Sequence, residues 1–329
     1  GDQPTAEQGN SVTVSGTNGF TFNGNTTLVG TTGGGVIAVN NSAPVNFAGA
    51  IGESTPGMGI TKTGTGTMTF SGSAANTFTG SLAVNQGTVV LNKSAGVQAY
   101  DGNLIIGTGL GTTNSAIVQV DADGQLPAAQ DITINTDGQL NLQTFNASTT
   151  NLVMTGGSIL GTGVLALPDT GTIGRGFQFT GIKASTATIS SGIQFMGEET
   201  FQVAKTLSAG PQVTISGSIT GDGTSTPINF TKTGSGILAL TGTTSLTGNV
   251  SVTVAGGILE TTSIANANVT LNGGGLGSTS TGTVVSPIQI QQLSVDNGAF
   301  VLGLGASGQS DQIGASGNIT LSTTVWSNP

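Results

Sequence analysis

Apolar residues along this chain recur at every second position in short runs, and each run closes on a glycine. In TMTFSG, residues 67–72, Met68 and Phe70 share one side; Leu82 and Val84 follow, then Val89 and Leu91 after a glycine-containing corner. Alternation with period two predicts half-buried β-strands. The middle of the chain keeps the formula in shorter form. VQVDADGQL (118–126) resembles ITINTDGQLNL (132–142), with Asp-Gly at the same place in each. LVMTGGSIL (152–160), VTLNGGGLG (269–277) and LSVDNGAFVLGL (293–304) continue it. The theme is apolar-x-apolar, a glycine turn, then apolar-x-apolar again.

A longer phrase also returns. KTGTGTMTFSG (62–72) comes back as KTGSGILALTG (232–242). Upstream, PVNFAGAIGE (44–53) corresponds to PQVTISGSITGD (211–222). Downstream, FTGSLAVNQGTVVLN (78–92) corresponds to LTGNVSVTVAGGILE (246–260). The matched lysines carry the most weight, because Lys and Arg together number 6 in 329 residues while Gly alone numbers 56.

Two architectures use such a pattern. Asn-Gly and Asp-Gly dipeptides are hairpin signals and point to an antiparallel sandwich or barrel. The alternative is a solenoid whose coils each give short strands and a glycine corner, and stack in parallel register. Sandwiches are complete within about 100 to 250 residues, and here the pattern runs on past residue 300. The chain is therefore predicted to be all-β, a right-handed parallel β-helix in one elongated domain. Coils of roughly twenty residues stacked about 4.8 Å apart would make a rod some 70–80 Å long.

Composition narrows the chemistry. Only 6% of residues are charged, against about 25% in an ordinary globular protein, and 4% are aromatic. The net charge of −9 is scattered, without the basic patch that nucleic acid requires. No apolar run is long enough for a membrane helix, and one Tyr and one Trp cannot build the girdles of an outer-membrane barrel. Gly1-Asp2-Gln3-Pro4 is neither basic nor apolar, so any signal peptide is expected to have been removed.

Without His or Cys, Ser-His and Cys-His nucleophiles and the usual zinc sites are excluded. Asp121 and Asp123 in DADG resemble the start of a calcium loop, but its twelfth position would be Ile132, so the ligand set fails. Asp123-Gly124 and Asp137-Gly138 read as turns, and Glu198-Glu199 as a solvated loop pair in preference to half of an acid/base couple. Arg175 is the lone arginine, with no acidic cluster beside it in sequence. Tyr100 and Trp326 are too isolated to form a carbohydrate platform. No cofactor, metal or catalytic residue is expected. Asn25, Asn92, Asn146, Asn249, Asn268 and Asn318 begin Asn-x-Ser/Thr triplets, as chance predicts in a chain this rich in those residues.

The segment KTGTGTMTFSGSAANTFTGSLAVNQGTVVLN resembles the autotransporter-associated β-strand repeat of type V secreted proteins. Lys62, Gly64, Gly66, Gly72, Asn76, Thr77, Phe78, Thr79, Gly80 and Gly87 fill its slots. The second copy keeps Lys232, Gly234, Gly236, Gly242, Thr247, Gly248 and Gly257, with Ser245-Leu246 where the Asn-Thr-aromatic phrase belongs. SDQIGASGNITLS (310–322) is similar to the segment that closes such passengers. The resemblance implies an extracellular β-helical passenger, with coils or a cap in 1–40, passenger-type repeats at 44–92 and 211–260, and C-terminal coils in 293–329. Relatives continue into a C-terminal translocator barrel. This chain has none before Trp326-Pro329, and is expected to be a released passenger, a trimmed piece, or a relative exported another way.

Within such a helix Gly64, Gly66 and Gly72 are expected at corners, by positive φ or close backbone approach. Lys62 and Lys232 are expected on the outer face, where charge blocks off-register pairing; the rival role is an isopeptide crosslink. Recurrent Asn and Thr are expected to form ladders, each side chain bonding its copy in the next coil. Few charges lie near either end, so unpaired strand edges invite head-to-tail stacking. The leading expectation is a secreted, non-enzymatic surface or matrix protein that polymerises through its solenoid ends. An adhesin binding surface ligands as a monomer is the alternative, and a β-helix polysaccharide lyase or hydrolase is the third reading.

Overall fold

The structure is a computed structural model and describes residues 5–6, 11–30, 33–167, 176–223, 227–278, 287–301 and 313–321. The chain falls into two units, residues 1–166 and 167–329. In both, short strands alternate with turns, and the strand pairings of the described residues are parallel. Successive coils therefore stack as a β-solenoid, and the hairpin alternative falls. The Gly corners lead from one face of a coil to the next face, so the strands on either side of a corner do not pair with each other.

In the first unit one face is built from Gly33–Val39, Met58–Thr63, Leu82–Val84, Leu104–Ile106, Asp131–Ile134 and Asn151–Met154. The register aligns Ile60 with Leu82, Leu104, Ile132 and Leu152 in turn. Those steps are 22, 22, 28 and 20 residues, so the corners absorb length changes while the strands keep their pairing. The inward residues form continuous apolar columns, and all five of these are buried. A second face runs through Val45–Phe47, Thr67–Gly72, Gly87–Lys93, Ala116–Val120, Gly138–Asn141 and Gly157–Leu160. There Phe22, Phe47 and Phe70 occupy one column, with ring centroids 4.7 Å apart (stacked) and 6.2 Å apart (edge-on).

The second unit repeats the plan. Gly176–Phe179, Glu198–Val203, Ile228–Thr233 and Val250–Val254 make one face; Ala187–Ile189, Val213–Ile215, Ile237–Leu240 and Ile258–Thr261 make another. Phe177, Phe195, Phe201 and Phe230 pack in its interior at centroid separations of 4.9 to 5.6 Å. The strand Ser263–Gly277 then serves both faces, pairing Ala267–Leu271 with Val250–Val254 and Gly275–Gly277 with Ile258–Glu260. Of the expected C-terminal coils, residues 293–301 and 313–321 are described; Arg175 and Trp326 lie outside the described residues. No helix among the described residues is long and apolar enough to cross a membrane, which leaves β-barrels untouched.

Candidate functional site

The recurrent lysines are inside the coils, which corrects the outer-face expectation. Lys62 is aligned with Ile37 on one side and Val84 on the other, at an inward position of an aliphatic column, and is 0% exposed. Lys232 stands between Phe201 and Val254, also 0% exposed. Each ammonium is satisfied by main-chain oxygens. Lys62 Nζ donates to the carbonyls of Thr63 (3.0 Å), Gly64 (2.6 Å) and Gln86 (2.8 Å). Lys232 Nζ donates to Thr233 (2.8 Å), Gly234 (2.8 Å) and Gly256 (2.9 Å).

The two sets are the same in sequence offset: one, two and twenty-four residues on. An ammonium has three N–H donors and no acceptor, so three carbonyls match it. Two of those carbonyls belong to the lysine's own corner and the third to the corner of the next coil. The side chain is thus a rivet between successive corners. The physical reason for the error is that a buried charge is costly unless its hydrogen bonds are met, and here the glycine corners turn carbonyls inward to meet them. Burial still pushes both lysines down to about 8 from the usual 10.5.

Gly87 and Gly257 show why the phrase carries a glycine at the start of its last strand. Their φ values are +74° and +63°, a region natural to glycine. A Cβ at Gly87 would lie 2.7 Å from Lys62 Nζ, and at Gly257 2.9 Å from Lys232 Nζ. Of the other recurrent glycines, Gly64, Gly72, Gly234 and Gly248 have positive φ. A Cβ at Gly66 or Gly236 would lie 2.5 Å from the carbonyl oxygen of Asn41 or Ala204, and one at Gly80 or Gly242 would run into main chain of the preceding coil.

Asn76 is buried and bonds main chain, which corrects the side-chain ladder. Its Oδ1 accepts from Ile51 N at 2.8 Å and its Nδ2 donates to Ala99 O at 2.8 Å, so one amide ties three coils. In the second copy Thr244 stands where Asn76 does, and Leu246 is buried as Phe78 is in the first.

Lys93 and Asp137 are buried ionic groups as well. Lys93 donates to Gly49 O at 2.9 Å, and burial pushes it down to about 8. Asp137 does sit in a turn, yet its carboxylate is 0% exposed and is wrapped by the segment 107–111. Oδ1 accepts from Gly109 N at 2.7 Å; Oδ2 accepts from Gly111 N at 2.9 Å, Thr108 N at 3.2 Å and Thr108 Oγ1 at 3.1 Å. Burial works to raise this carboxyl, but the backbone donors of Gly109, Thr108 and Gly111 outweigh it and hold it below its usual value.

The Glu198-Glu199 pair is also corrected: it opens the strand Glu198–Val203, with Glu198 exposed and Glu199 buried. Strand alternation sends neighbouring side chains to opposite faces, so the two carboxylates do not share a surface. Asp123-Gly124 forms a turn, and Tyr100 is buried, not a surface platform.

Both lysine rivets lie in the stretches, residues 60–91 and 230–260, that match the family model of the passenger-associated-transport-repeat. No curated protein and no solved structure matches the chain.

Proposed function

From a parallel β-solenoid with two passenger-associated-transport repeats, the build of an autotransporter passenger, we propose a secreted, non-enzymatic structural protein. It would work at the bacterial cell surface or in the surrounding matrix, its copies joining through the open strand edges of their coils. One observation carries the non-enzymatic part: four of the five buried charged side chains among the described residues serve the backbone. Lys62, Lys93 and Lys232 donate to main-chain carbonyls that link the coils, and Asp137 accepts from three main-chain amides and one hydroxyl of the segment that wraps it, with no buried acid–base pair among these four. The low charge of 6% supports close packing of copies, because little ionic surface must be desolvated.

The test has two arms. Protease treatment of intact producing cells should remove the chain, and electron microscopy of the purified chain after overnight incubation near neutral pH should show filaments. Protein shielded from protease on intact cells would sink the surface assignment. Dispersed particles at high concentration would sink assembly and favour a monomeric adhesin, while release of reducing ends from polysaccharide would sink the non-enzymatic role.

A further inference from the structure

In the unit 167–329, one strand carries opposite charges at its two ends. Glu198 opens the strand Glu198–Val203; it is exposed, and its Oε1 is steadied by Asn229 Nδ2 at 3.0 Å. Met196, two residues earlier, is 40% exposed. Two residues past the other end stands Lys205, exposed, followed by Leu207 at 84% exposure. Gly176–Phe179 pairs in parallel with Thr200–Val203, so Ile182 and Lys183, just beyond it, emerge at the same end. Ile182 is 54% exposed and Lys183 is exposed. Seven residues of extended chain put roughly 23 Å between Glu198 and Lys205.

The basic end is held in shape. Leu207 N donates to Lys183 O at 2.6 Å. Thr206 Oγ1 donates to Ser185 O at 3.2 Å, and Ile182 N donates to Ser185 Oγ at 2.9 Å. Lys183 has φ of +52°, a conformation that costs a non-glycine residue and persists only where its surroundings enforce it. Among the described residues, Lys183 and Lys205 are the lysines with exposed side chains, the other three being buried. The accessible lysine charge of the described residues therefore gathers at one corner, beside two large exposed aliphatics, on a chain whose net charge is −9; Lys205 also feels the half-buried carboxylate of Glu260, which leaves Lys183 the less compensated of the two.

We propose that this face makes a lateral, head-to-tail contact between copies of this chain. Lys183, Lys205 and Leu207 of one copy meet Glu198 and Met196 of the next. The patches are complementary in charge, each carries its own apolar side chain, and their separation along one strand prevents pairing within a copy. A contact between two different patches is heterologous and propagates into rows or rings. Such rows extend along the strand direction, not along the coil stack, so this contact goes beyond the coil-edge joining proposed above and stands or falls separately. The patches are small, which makes the contact weak and suited to the high local concentration of an array.

Sedimentation velocity on the full chain is the test. Association should grow with concentration at low salt and vanish in about 1 M salt, where the Debye length is about 3 Å. Glu198→Lys alone, or Lys183→Glu with Lys205→Glu, should weaken it about tenfold or more by placing like charges together. Leu207→Ser should weaken it about tenfold through lost apolar burial. Mixing the Glu198→Lys chain with the Lys183→Glu, Lys205→Glu chain should restore association that neither shows alone, with both folded by circular dichroism. Association indifferent to these reversals, or no rescue on mixing, overturns the proposal. Filaments that persist through the reversals would assign assembly to coil edges alone.

Discussion

At Lys62 and Lys232 the alternation and the charge gave opposite advice. Ile60-Thr61-Lys62 and Phe230-Thr231-Lys232 put each lysine in step with inward residues, and the period-two pattern taken literally placed the ammonium inside. The aversion of charge to burial argued for the outer face, and lost, because three corner carbonyls per lysine were waiting. No sequence rule for a single strand displays those carbonyls; they come together only when coils stack. Lys62→Met keeps the length of the side chain but leaves buried carbonyls unpaired, and should cost about 2–4 kcal/mol in denaturant unfolding. The pH response has a definite sign. Folded Lys62, Lys93 and Lys232 titrate near 8, below their unfolded value, so above pH 8 the folded state releases protons that the unfolded chain keeps. Stability should rise from pH 8 toward pH 10. Burial pushes Tyr100 above its ordinary 10.0, so beyond that pH the folded state retains a proton that the unfolded chain loses, and stability should turn down. Denaturation midpoints across pH 7 to 11 measure this; a flat profile, or one unchanged in Lys62→Met, would refute the lysine account.

At the scale of the element, strands were legible and corners were not. Met68, Phe70, Leu82, Val84, Val89 and Leu91 are all buried, as their spacing required, because a half-buried strand leaves a period-two trace whatever it pairs with. What pairs with what leaves no local trace. The Asp-Gly signals were real turns without hairpins, and the Glu-Glu pair looked like a loop because charge outweighed the following Thr-Phe-Gln-Val. Ser263–Gly277 hid its length behind glycines at 273–275. The corner 107–111 was invisible for a different reason: its organiser, Asp137, lies 26 to 30 residues away and one coil further on. Asp137→Ala should therefore loosen that corner without dissolving the columns beneath it. Amides of Thr108, Gly109 and Gly111 should exchange about tenfold faster or more, while those of Leu104–Ile106 and Asp131–Ile134 keep their protection. Acid should act in the same way: since this carboxyl is held below its usual value, its contribution persists above the unfolded value near 3.8 and disappears as pH falls through the folded one. Uniform loss of protection across both strands would show that the carboxylate supports the coils and not the corner.

For the whole molecule, the distribution of lysine matters more than its number. A chain with 15 acidic and 6 basic residues withdraws three of its five lysines into the coils, and among the described residues two carboxylates, Asp137 and Glu199, are withdrawn with them. It also sorts its amines into two chemical classes. Lys183 and Lys205 stand in solvent, whereas Lys62, Lys93 and Lys232 lie at 0%, 1% and 0% exposure, each bonded to main chain. Burial lowers the proton affinity of the second class to about 8, which would make those amines the better nucleophiles if a reagent could reach them. Acylation of the native protein at pH 8, read by peptide mass spectrometry, should mark Lys183 and Lys205 promptly and the other three only as their coils open. Denaturant should reverse the order of contrast, bringing all five to similar rates. Because each coil is held chiefly by its neighbours, opening can be local, and the three buried lysines report on different coils, Lys62 and Lys93 in the first unit and Lys232 in the second. Should Lys62 label before Lys232, the stack around the first repeat opens more readily than that around the second. Prompt native labelling of both would mean that the rivets are not closed in solution, and the role assigned to the repeated phrase would fail with them.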